Sequence, residues 1–242
     1  MLSKIILCSI FASSVFFASN SNLKADVVDI FISAGQSNAK ADKMGLGRGA
    51  EEILKKSGKF SNVVVVKTAH GGSSVSQWHY KGDFKKLFHI DFFNKTETKT
   101  PMGALEAKIA EVIANGDTPV FRGMFWWQGE SNGVTQAQLD SGSVPSVDGL
   151  EGIIAGISAG LKDAGLDDTK WNFVLNTVYR KGESEQVNAA LAISAASPRG
   201  VLFDTQVGEH RTYKGTGDPV HGYNHFLVGQ KNAELFIETF VK

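Results

Sequence analysis

Four short segments of the chain hold residue types that together can perform acyl transfer. Gly35-Gln36-Ser37-Asn38 follows an apolar run, and Gly35 permits a tight turn there. A serine hydroxyl is a weak nucleophile until a base takes its proton, and a turn from strand to helix exposes its oxygen while leaving backbone N–H groups available. Ser37 has that setting. His70-Gly71-Gly72-Ser73 follows a second β-branched run, where the absence of side chains on Gly71 and Gly72 lets backbone N–H groups approach an oxyanion. Gln128, in Gln128-Gly129-Glu130-Ser131-Asn132, offers a side-chain amide for the same purpose, and the Ser37 N–H supplies another donor. Near the C-terminus, Asp218-Pro219-Val220-His221 provides a base, His221, with a carboxylate three residues earlier to fix its tautomer.

Each residue also has a plainer role. Ser37 alone reads as a helix cap, and Asn38 reads more naturally as a cap or turn former than as a participant in chemistry. Gln36, Asn38, Trp78 and Glu130 are candidates for substrate contact or for supporting the site; Trp78 could stack on a sugar, and Glu130 is either a hydrogen-bonding partner or a solvated loop carboxylate. Trp126 and Trp127 point to opposite faces of a strand, so at least one belongs to the core. His70, His79, His89 and His210 read as structural or surface residues. His221 and His225 are four apart, a spacing that can ligate a metal, but no third ligand accompanies them.

The elements that must position these groups alternate along the chain. Residues 27–32, 61–67, 119–127, 171–178 and 200–204 read as strands, from their β-branched and aromatic content. Apolar spacings of three and four predict helices over 102–114, 150–164, 186–197 and 226–241. Residues 79–101 and 131–149, rich in Gly, Ser, Lys and Thr, read as long loops. Strands alternating with helices predict an α/β protein with a mainly parallel sheet covered on both faces, and such sheets bind ligands outside the carboxyl ends of their strands. All four segments follow strands or precede the last helix.

Of the 242 residues 42% are hydrophobic and 21% charged, which suits one sizeable core rather than disorder or a membrane bundle. The N-terminus combines a basic start at Lys4, an apolar stretch from Ile5 to Ala18 and a small polar zone, which predicts a signal peptide over about residues 1–25 and a single domain over 26–242. The apolar stretch is shorter than the ~20 residues that span a bilayer. Cys8, the only cysteine, lies in this leader, so the mature chain is expected to have neither disulfide nor thiol nucleophile and to be secreted or periplasmic. A formal net charge of 0 offers no footprint for nucleic acid.

The blocks "GQSN", "GGSSVSQW", "WWQGESN" and "DPVH", in that order, resemble those of the SGNH hydrolase superfamily. Within it they resemble the branch of sialate O-acetylesterase-like and acetylxylan-esterase-like carbohydrate esterases. The resemblance implies a three-layer α/β/α sandwich with a mainly parallel five-stranded sheet of flavodoxin-like type. It also implies Ser37 as nucleophile, Asp218 and His221 as its triad partners, and an oxyanion hole of the Ser37 N–H, a Gly71 or Gly72 N–H and Gln128. No cofactor or metal is implied, and the expected partner is an acetylated carbohydrate. Asn132 stands where this branch commonly carries an acidic residue, and Gly222-Tyr223-Asn224-His225 replaces the usual hydroxyl-containing run after the histidine. Three other readings compete: a sugar-binding module on the same fold, a lipase or short-chain esterase using Phe84, Leu87, Phe88, Phe92 and Phe93, and a metal-assisted hydrolase.

Overall fold

A computed structural model describes residues 25–40, 45–75, 101–179, 184–206 and 223–242. The predicted leader, most of the loop expected over 79–101, Trp78, Asp218 and His221 lie outside the described residues.

Five strands form one parallel sheet: β1 (Val27–Gly35), β2 (Asn62–Lys67), β3 (Thr118–Trp127), β4 (Asn172–Asn176) and β5 (Gly200–Phe203), in the order β2-β1-β3-β4-β5. This is the flavodoxin-like order and bears out the predicted fold class. All but the first residue of β1 is buried, as a strand covered on both faces should be, whereas the edge strand β2 alternates, with Val63 and Val65 more deeply buried than Val64 and Val66.

The helices are α1 (Ser37–Lys40), α2 (Leu46–Lys56), α3 (Pro101–Ala114), α4 (Gln136–Ser141), α5 (Pro145–Asp163), α6 (Ser184–Ala195) and α7 (His225–Phe240). The chain moves from β1 to β2 in one direction across the sheet and from β2 through β3 to β5 in the other. Right-handed crossovers therefore place helices on both faces. Helix α7 packs against α2, and so closely that a β-carbon on Gly229 would lie 2.1 Å from the Leu46 carbonyl oxygen. Helix α5 packs against α6. Under α7, Phe236 meets Phe31 and Phe125 at ring distances of 5.4 and 5.9 Å, joining helix to sheet in one continuous core.

Helix α2 was not among the predicted elements. Its apolar positions Leu46, Ala50 and Leu54 do recur at four, but the glycines around its start obscure the pattern. The region 131–149 departs from the loop expected of it. It contains α4, with a capping box between Thr135 and Gln138, and the first turn of α5, which begins at Pro145. Proline suits that position because its missing N–H would be unpaired in any first turn. Among the described residues no helix is long and apolar enough to cross a membrane.

Candidate active site

The sheet order reverses between β1 and β3, and the first three sequence blocks converge where those strands and β2 end. Hydrogen bonding continues past the strands: Gln36 N donates to Trp127 O (3.0 Å), and His70 N donates to Gly35 O (2.8 Å). Gly35 makes this junction possible. Its φ is 132°, and a β-carbon there would lie 2.1 Å from the Trp127 carbonyl oxygen. The chain then turns at Gln36 into α1, whose first residue is the half-buried Ser37.

The glycine turn after β2 lies beside it. A β-carbon at position 71 would be 3.9 Å from that of Ser37, so the glycine turn lies within contact distance of the serine. Gly72 has φ 75°, in the left-handed region. Ser73 Oγ donates to His70 O (2.8 Å) and closes this turn, while Ser131 Oγ donates to Gly72 O (3.3 Å) and links it to the segment after β3. His70 fits its structural reading: it is half-buried, with Nδ1 3.2 Å from Gly71 O.

Gln128 is buried beside this turn. Its Nε2 donates to Ser73 O (3.1 Å) and to Asn132 Oδ1 (2.8 Å), which occupies both amide protons. In this arrangement Gln128 braces the glycine turn. Asn132 completes the pairing by donating from Nδ2 to Gln128 Oε1 (3.2 Å), and its Oδ1 accepts from Val75 N (2.9 Å). An ionised acid at position 132 could not make the return donation, so asparagine here has a structural reason.

Asn38 lies on the other side of Ser37. Instead of capping a helix it is fully buried, with Nδ2 donating to Glu130 Oε1 and Oδ1 3.1 Å from His225 Nε2. Glu130 is thus a buried hydrogen-bonding partner and not a solvated loop carboxylate. Burial pushes its carboxyl up to about 7, against the opposing hydrogen bonds from its own and the Gly129 backbone and from Asn38. His225 is the first residue of α7, and its ring also lies 5.6 Å from that of Trp127. Trp126 and Trp127 are both fully buried, so the pair belongs wholly to the core. The indole N–H of Trp127 donates to Thr177 O (3.1 Å), and its ring meets Tyr223 edge-on. Gln36 is 3% exposed, and its Oε1 has no hydrogen-bond partner among the described residues.

The structure therefore brings together Gln36, Ser37, Asn38, Gly71, Gly72, Gln128 and Glu130. Asn132 and His225 join them. Asn132 could have been found from its spacing of four to Gln128; nothing in the sequence links His225 to Asn38.

A family model for carbohydrate esterases, sialic acid-specific acetylesterase, matches residues 39–141. That span holds the Gly-Gly and Trp-Trp-Gln-Gly-Glu blocks and leaves Ser37, Asp218 and His221 outside. No curated protein matches the chain. Among solved structures, a protein from Arabidopsis thaliana is similar at a TM-score of 0.57 and 14% identity, covering 88% of this chain and 98% of its own. A carbohydrate acetylesterase from Xanthomonas citri is similar at a TM-score of 0.53 and 14% identity, covering 88% of this chain, which spans only 56% of that protein. At such identity the likeness is one of fold. Over residues 39–141 the chain carries the pattern of the sialic acid-specific acetylesterase family of carbohydrate esterases, on the α/β architecture of these two structures.

Proposed function

We propose that the protein is a secreted serine esterase that removes O-acetyl groups from a carbohydrate. The observation that carries this reading is the setting of Ser37: at the switch point of the sheet, on the first turn of a helix, with the side-chain-free Gly71 at its β-carbon. The carbohydrate preference rests on the family pattern over 39–141.

Ser37 Oγ attacks the ester carbonyl carbon and its proton passes to His221, with Asp218 holding the imidazole; both partners are assigned by their motif. Backbone N–H groups of Ser37 and of Gly71 or Gly72 receive the negative charge that develops on the carbonyl oxygen, joined by the Gln128 amide as it exchanges its bond to Asn132 or Ser73 for one to the substrate. The tetrahedral intermediate collapses as His221 gives its proton to the departing sugar oxygen, leaving an acetyl ester on Ser37. Water, deprotonated by His221, then releases acetate and restores the hydroxyl.

The test is acetate release from acetylated xylan, O-acetylated sialic acid and a small chromogenic acetate, by wild type and by Ser37→Ala. Loss of release by about a thousandfold or more in the variant supports the reading. Equal activity in both would remove Ser37 from the chemistry, and an inert wild type would favour a binding module.

A further inference from the structure

One buried side chain joins three segments distant in sequence. Asn38 follows β1, Glu130 follows β3, and His225 opens α7; separations in sequence are 92 residues between Asn38 and Glu130 and 187 between Asn38 and His225. The polarity of the arrangement is determined by its members. The Asn38 amide turns its NH2 toward Glu130 Oε1, the one direction open once that carboxyl is ionised, and its oxygen toward His225. His225 Nε2 must then carry a proton to bond that oxygen. The Trp127 ring beside His225 and the full burial of Asn38 leave the amide little freedom to rotate.

We infer that Asn38, clamped between Glu130 and His225, is a positioning residue that fixes the turn presenting Ser37. The inference rests on the esterase reading and adds to it a device unrelated to the triad. Asn38 is the next residue after the nucleophile, in a helix of four residues that has little order of its own to hold Ser37 in place. Fixing the Asn38 amide fixes its backbone, and with it the direction of the Ser37 N–H and Oγ. His225 opens α7, so the same clamp ties the nucleophile turn to the last helix.

The test exchanges donor and acceptor. Asn38→Asp alone sets a second carboxylate against Glu130 and, near pH 8, should lower kcat on a chromogenic acetate by about tenfold or more with little change in KM. In the double variant Asn38→Asp/Glu130→Gln the amide and the carboxylate change places. The bond between positions 38 and 130 reverses direction, and an acceptor still faces His225. This variant should recover to within about threefold of wild type. His225→Phe keeps an aromatic ring against Trp127 but removes the N–H, and should also lower kcat more than KM. Melting temperatures of all variants separate unfolding from mispositioning.

Recovery in the double variant, with kcat lost in the singles while they remain folded, supports the clamp. An active wild type whose double variant is no better than Asn38→Asp, or whose losses follow the folded fraction alone, would overturn this inference and leave the esterase reading intact. A wild type inert toward every acetyl ester would sink the esterase reading and, with it, the positioning role.

Discussion

Glu130 is the residue whose chemistry depends most on where the fold places it. In sequence it is a carboxylate in a Gly-Ser-Asn turn; in the structure burial raises its pKa from 4.5 to about 7. Between those values the folded protein binds a proton that the unfolded chain has released, so stability falls as pH rises through this window and levels off above about 7. Full ionisation costs about 3 kcal/mol on the scale of 1.36 kcal/mol per pKa unit. Urea denaturation of wild type and Glu130→Gln at pH 4.5, 6 and 8 should show the wild type losing stability relative to the variant as pH rises. Parallel curves would mean that Glu130 is not desolvated. Gln128 shows the same dependence from the other side. Its motif implies a donor, and the fold supplies that donor with Ser73 and Asn132 as acceptors.

Among the elements, the junction of β1 with α1 is the most constrained. Gly35→Ala would force a β-carbon against the Trp127 carbonyl in a backbone conformation that only glycine adopts easily. It should destabilise the protein by about 3 kcal/mol or more, seen as a lower urea midpoint at unchanged m-value. Wild-type stability for this variant would mean that the turn can relax without loss. The central strands were legible in the sequence because β1 and the second half of β3, residues 123–127, are buried on both faces and read as largely apolar runs. Helices α2 and α4 were not, since glycines precede the first and the second is short and polar. Capping chemistry and packing against α7 and α6 decided those segments, and neither is visible in hydrophobic spacing.

For the molecule as a whole, the core runs without interruption through the sheet, and of the four tryptophans Trp126, Trp127 and Trp171 are fully buried in it. Unfolding should therefore be a single transition, with tryptophan fluorescence and far-UV circular dichroism giving the same midpoint. Separate midpoints would show that part of the sheet melts independently.

The alternation of strands and helices, the strand-end location of the chemical residues and the pattern shared with carbohydrate esterases could be read from the chain alone, because these depend on local periodicity and on motifs of a few residues. It took the fold to make Asn38 a buried bridge, to desolvate Glu130, and to set the Gln128 amide against Asn132 and Ser73. A hydrogen bond between strand ends 92 residues apart exists only once the sheet has set their separation and removed competing water, and no local pattern encodes that distance.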